Sequence, residues 1–353
     1  GIQEAFNYAS TTLTSNAMPT IYLNYGNYIV KTPIDFSQKN NDGFEIRGPA
    51  GQAGITAEFN GGYIFNLGSG YNDCDIFFEN IAFTVATGYS PDGAIYWNST
   101  ETNSLLQGIF HGKMLSNAVG GWAQYFIYLN NIQALLIDVL EGYGGIDIYA
   151  NVSQFISIES YYGEPTGDNV NLSAPTIYIT NSAFGHLNIN WTGDTTTGIY
   201  QVEKCTITNS TFQNITLNAY ANGTNLGGDY TIIGSVCGGV QGTYVVQNVG
   251  AGQTPYLPDR STVNSIYIIG STLNAPISNI VALNDAKAIN CTLSPNAPSG
   301  VTLYNSGPVL NTPAIPSSGT SITNTNPYPV KIYINGGAVT QIQLTYTSAG
   351  FAE

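Results

Sequence analysis

Carboxylates are the first residues in this chain whose type and spacing could do chemistry. Asp138, Glu141, Asp147, Glu159, Glu164 and Asp168 form its densest acidic stretch. A site that cleaves polysaccharide needs two or three carboxylates in one place, as acid with nucleophile or base, or around calcium. Asp147 and Glu159 stand 12 positions apart among alternating apolar neighbours, a pattern that turns both outward on successive strands. With Asp138 they are the candidate catalytic residues, and Asp73, Asp75 and Glu79 make a weaker second group. Lyase chemistry also asks for a basic residue, and none of the 8 Lys and Arg lies near the main cluster in sequence. A solvated strand face accounts for the same charges. His111 and His186 are the only histidines, each beside a glycine, and they define no Ser-His-Asp triad. The expectation is therefore binding rather than cleavage.

For binding, the aromatic residues matter most. Trp97, Trp122, Tyr149, Tyr161 and Tyr162 are the candidate platforms for sugar rings, because an aromatic face buries the apolar face of a pyranose. Packing between strands or subunits is the competing use of the same rings. Asn-x-Ser/Thr occurs at eight positions, about as often as composition alone predicts, and Asn98, Asn171 and Asn222 beside expected loops are the candidate glycosylation sites. Cys74, Cys205, Cys237 and Cys291 lack metal-ligand spacing, so no metal and no cofactor is expected. Cys205 and Cys237, 32 residues apart, span about one turn of a repeat and are a candidate disulfide; buried free thiols are the alternative.

Composition restricts the partners. Charged residues are 8% of the 353 where about 25% is usual, and the formal net charge of −14 repels nucleic acid. The surface must be built from Asn, Thr, Ser, Gly and the 25 Tyr, which hydrogen-bond without charge. Such a surface keeps working in acid, where ion pairs fail, so an extracellular and acidic setting is expected.

These residues need elements to position them. Ile2, Ala5, Phe6 and Ala9 fall on one helical face, ended by the Ser and Thr residues from Ser10 to Thr14. Two short strands follow, 19–23 and 28–30, around the turn 24–27. Strands then recur to about Leu293. Ile177-Tyr178-Ile179-Thr180-Asn181-Ser182-Ala183-Phe184 echoes Thr206-Ile207-Thr208-Asn209-Ser210-Thr211-Phe212, with later echoes at 269–273 and 289–293. The repeated Asn points to an internal ladder of stacked amides. After Leu293 a Pro/Ser/Gly-rich linker, 295–322, leads to an alternating hairpin at 323–353. A lone hairpin is unstable and must pair with another chain, the main body or residues beyond Glu353.

The opening, Gly1-Ile2-Gln3-Glu4-Ala5 and then Ile21-Tyr22-Leu23 with Gly26-Asn27-Tyr28, resembles pectin-lyase-like β-helix proteins, above all viral tailspikes and tail fibres. The segment from Thr323 to Val339 is similar to a small β-module near the C-termini of such proteins, and the charge-poor, Tyr- and Asn-rich composition is similar to surface proteins of thermoacidophilic archaea and their viruses, tail fibres of spindle-shaped viruses included. The resemblance implies an all-β fold, a right-handed parallel β-helix over 1–294 with an N-terminal capping helix and a C-terminal β-module. It also implies a virion spike or fibre, homotrimeric, at the virion surface beside other tail proteins, attaching to a host cell-surface glycan or glycoprotein. A polysaccharide-degrading hydrolase or lyase and a cellular surface-layer or filament subunit are the alternatives.

Overall fold

A computed structural model of the protein describes residues 1–12, 19–36, 43–50, 53–67, 75–98, 107–117, 122–143, 148–163, 169–190, 204–220, 227–238, 240–245, 261–273, 277–278, 280–293 and 302–304. All lie in the compact unit Gly1–Asn311. The hairpin expected at 323–353 is outside them, as is the linker 295–322 apart from 302–304. The fold is all-β: among the described residues there is one helix, Ile2–Thr12, and everything else regular is strand. No described helix is long and apolar enough to cross a membrane.

Every strand pairing among the described residues is parallel, and the pairings form three ladders. The first begins Thr20–Tyr22, Gly43–Arg47, Asp75–Glu79 and continues through Thr176–Thr180, Lys204–Thr208, Gly227–Ile233, Ser261–Ile269 and Ile280–Ile289. Its last member, Thr302–Tyr304, carries it past Leu293 into the expected linker. The second begins Asn27–Val30, Ala53–Ala57, Ile81–Val85, and the third Ile34–Asp35, Tyr63–Asn66, Gly93–Asn98. Among the described residues five strands, Gln107–Asn117, Ile127–Tyr143, Ile148–Glu159, Ala183–Asn190 and Thr211–Tyr220, pass from one ladder to another.

Alternation explains the core. In the first ladder Ile46, Phe78, Ile137, Ile158, Ile179, Ile207, Ile232 and Ile268 all point inward and are buried, while their neighbours point out, as a two-residue period requires. Filling the early part of the core falls to aromatics: Phe36, Phe44, Phe65, Phe78, Phe83 and Phe126 are buried. The helix closes this end. Phe6 packs on Phe36 at 4.1 Å between ring centres and on Phe44 at 6.0 Å, with Ile2 and Ala9 also buried. Ala5, expected on the same face, is exposed, because the contact stripe is narrower than the apolar pattern. Gln3 adds a second closure: its amide nitrogen donates to the Asp35 carbonyl at 2.8 Å and its amide oxygen accepts from the Asp35 N–H at 2.7 Å. A side-chain amide thus stands where another strand's peptide would pair.

The echoing segments are in register, Phe184 with Phe212 and Leu273 with Leu293. The internal amide ladder expected from their Asn residues is corrected. Asn181, Asn209 and Asn290 are exposed and left-handed, with φ of 49°, 48° and 52°; Gly234 and Gly270 take the same place at 59° and 56°. Asn and Gly are the residues that tolerate this backbone. It turns the next residue inward, so the internal column is serine: Ser182, Ser210, Ser235 and Ser271 are buried. The hydroxyls of Ser182, Ser210, Ser235 and Ser271 accept from the N–H of Tyr161, Ser182, Ser210 and Ser235, over 21, 28, 25 and 36 residues of chain. Each donates to the carbonyl two residues before it. Beside this column the rings of Tyr161, Phe184 and Phe212 stack, 4.4 and 5.6 Å apart.

Candidate functional site

The third ladder carries an outward face of tyrosines and carboxamides. Its strands repeat one pattern of inward apolar residue, outward Tyr or Asn, inward apolar residue: Ile95-Tyr96-Trp97, Ile127-Tyr128-Leu129, Ile148-Tyr149-Ala150, Val170-Asn171-Leu172 and Leu187-Asn188-Ile189. The register aligns Tyr96, Tyr128, Tyr149, Asn171 and Asn188 in one column. Tyr96 and Tyr128 stack at 5.2 Å and 16°, Tyr128 and Tyr149 at 4.8 Å and 12°. Buried Tyr63 leans on Tyr96 at 5.0 Å. Burial, with Tyr96 and Tyr125 nearby, pushes the Tyr128 phenol up. Rings stacked on one another offer edges and hydroxyls outward rather than faces.

Where the column changes from tyrosine to amide the surface opens into a groove of about 460 Å³, lined by Ala123, Gln124, Tyr125, Asn169, Asn171 and Asn188. The Tyr125 ring stands beside the stack, 5.7 Å from Tyr128 and Tyr149 and tilted by 50° and 54°. Its segment is anchored by backbone bonds from Ala123 to the Pro91 carbonyl and from Gln124 to the Asp92 carbonyl. Asn188 donates to the Asn171 amide oxygen at 3.1 Å. One column across the same face, Asn130 donates to Asn98 at 2.9 Å. Gly93 permits the close packing behind Tyr125, since a Cβ there would lie 1.8 Å from the Tyr125 carbonyl oxygen. No charged side chain is among the described residues that line the groove.

The candidates named from sequence scatter over this framework. Trp97 and Tyr161 are buried, which withdraws both as sugar platforms: each sits one position out of phase with an outward residue. Trp122 is half-buried against Phe126, and Tyr149 belongs to the stack. Tyr162 is exposed, on the second ladder. Glu159 is exposed at the end of a first-ladder strand. Asp138 is half-buried on the neighbouring strand, each carboxylate following one of the paired residues Ile137 and Ile158. Asp147 and Asn222 lie outside the described residues. Asn98 and Asn171 lie within strands, not loops, with their amides bonded to Asn130 and Asn188. Cys205 and Cys237 are buried free thiols. The disulfide expectation is corrected because Cys205 pairs in the first ladder, with Ile177 and Tyr230, and Cys237 in the second, with Phe212 and Leu273. Burial pushes both thiols up to about 12. Among the described residues no group of three His, Cys, Asp or Glu could hold a metal ion.

Gln124, Asn169 and Asn188 are not among the candidates that the sequence offers. The signal was present as the recurrent apolar-Tyr-apolar-Asn of 95–98, 127–130 and 148–151. No family model matches the chain, and no curated protein and no solved structure does either.

Proposed function

We propose that the protein is a virion tail spike or fibre that attaches to host cell-surface glycans or glycoproteins. The single observation that carries this reading is the groove at the end of the tyrosine stack, whose described lining, Tyr125, Gln124, Asn169, Asn171 and Asn188, carries no charge. Amides and phenols offer both donors and acceptors to hydroxyl groups, and a groove on a stiff stack of strands keeps them in place without a ligand. In the same reading the three ladders wind as a right-handed parallel β-helix. Uniformly parallel pairing supports it, as does the right-handedness of parallel crossovers in nearly all known cases. The resemblance of the opening residues to tailspikes supports the viral setting, and a homotrimer would make the weak contacts of single grooves add through effective concentration.

Purified protein is immobilised and challenged with host envelopes and with glycans released from them, while new reducing ends and unsaturated uronates are assayed. Retention without cleavage, weakened by the double change Asn171→Ala and Asn188→Ala, is the expected result. Cleavage abolished by Glu159→Gln would replace the adhesin with a depolymerising spike. Absence of both retention and cleavage would favour a structural subunit.

A further inference from the structure

We infer that the groove selects neutral sugars, bound through vicinal hydroxyl pairs, and rejects uronates, sialylated and sulfated glycans; this rests on the glycan-attachment reading above. Three observations carry it. First, among the described residues the polar lining groups are carboxamides and a phenol, Gln124, Asn169, Asn171, Asn188 and Tyr125, with no cation among them. A carboxamide presents a donor and an acceptor side by side, which matches two adjacent hydroxyls; a carboxylate or sulfate offers only acceptors and would be desolvated without a counter-charge. Second, the described lysines that meet aromatic rings do so on the first ladder, Lys204 over Tyr178 and Lys287 over Tyr267, not on the third, and the chain's net charge of −14 opposes the approach of any anion. Third, the donor set is preorganised. The Asn188 to Asn171 bond engages one of the two amide protons of Asn188 and fixes the orientation of both groups, so a hydroxyl pair meets amides already aligned. The volume of about 460 Å³ falls within the roughly 300–1,000 Å³ of small-molecule sites, and the tilted Tyr125 ring supplies an apolar wall for the C–H face of a sugar.

The test uses the full chain and defined probes: maltotriose, cellotriose and mannotriose against trigalacturonate, titrated by calorimetry or saturation-transfer NMR at about 50 and about 500 mM NaCl, a span that largely removes long-range electrostatics. At least one neutral trisaccharide is expected to bind at least about tenfold more tightly than the uronate, with less than about twofold change across salt. Asn171→Asp, nearly isosteric but lacking the donors, should weaken that binding about tenfold or more. Tyr178→Ala on the first ladder should leave it unchanged, and melting temperatures establish that both variants fold. Tighter or salt-dependent binding of the uronate overturns the inference, as does neutral-sugar binding indifferent to Asn171→Asp. Retention on host envelopes with no trisaccharide bound overturns it while leaving attachment standing; no retention at all removes the attachment reading and the inference together.

Discussion

At the scale of single residues, the buried hydroxyls and thiols set the chain's sensitivities. Ser210 accepts from Ser182 N–H and donates to the Thr208 carbonyl, so Ser210→Ala leaves a buried N–H without its acceptor. A loss of about 1–3 kcal/mol is expected, read from denaturant midpoints; a change under about 0.5 kcal/mol would show that the column carries no stability. Cys205 and Cys237 are held up at about 12 from an ordinary 9, mainly by burial, and burial also raises Tyr63 and Tyr230. Each folded-state value is raised, so the unfolded chain loses these protons first as pH climbs. Their contribution is complete below pH about 9 and declines above it, by up to about 1.4 kcal/mol per pH unit for each group. Thermal unfolding followed from pH 7 to 11 should show the midpoint falling only from about pH 9; a flat profile would count against buried thiols and phenols. Mass mapping after alkylation should find Cys205 and Cys237 unmodified in the native protein and both modified in urea. A mixed result for the two would refute their common burial.

Elements were legible where a side chain's job is local. The helix and the register of Phe184 with Phe212 followed from periodicity and from the Thr-Asn-Ser repeat, because both depend on neighbours a few residues away. What failed was the direction in which repeated residues face. Asn181 and Asn209 repeat because the backbone needs a left-handed residue, and that conformation sends the following serine, not the amide, into the core. Trp97 reads as a platform in the sequence, yet Tyr96 beside it is the residue that faces out; on a strand one position decides inside from outside, and nothing local marks the phase. Cys205 and Cys237 were matched by a spacing that ignored which ladder each would join. The groove is not legible in the sequence because its lining combines residues 123–125 with strands that follow later in the chain. Gln3 yields an element-scale expectation. Gln3→Ala uncovers the Asp35 edge, so about 1–2 kcal/mol is lost and strand-edge association appears in size-exclusion profiles. A variant that stays as monodisperse as the parent would remove the edge-covering role.

Across the described residues of the molecule, buried apolar columns and neutral hydrogen bonds dominate the packing. Ion pairs among the described residues include Arg47 with Glu45 and Glu79 and the Gly1 terminus with Glu4. Arg47 is held above its ordinary value chiefly by its bond to Glu45, but it is protonated throughout any working range, so this pair adds no pH dependence there. The melting temperature should therefore shift by only a few degrees between about 0.05 and 1 M NaCl. A large drop in salt would mean that charge, not packing, holds the ladders together.

The left-handed turns carry one more consequence, for how long such a molecule lasts. Asn followed by Ser is a chemically fragile pair: the asparagine amide is lost when the next backbone nitrogen attacks its side-chain carbonyl and closes a five-membered ring. At Asn181 and Asn209 that nitrogen belongs to Ser182 and Ser210, and it is buried and bonded to the hydroxyl of the next serine in the column. A nitrogen so held cannot swing toward the amide. The contacts that keep the strands in step thereby slow the ageing of the chain.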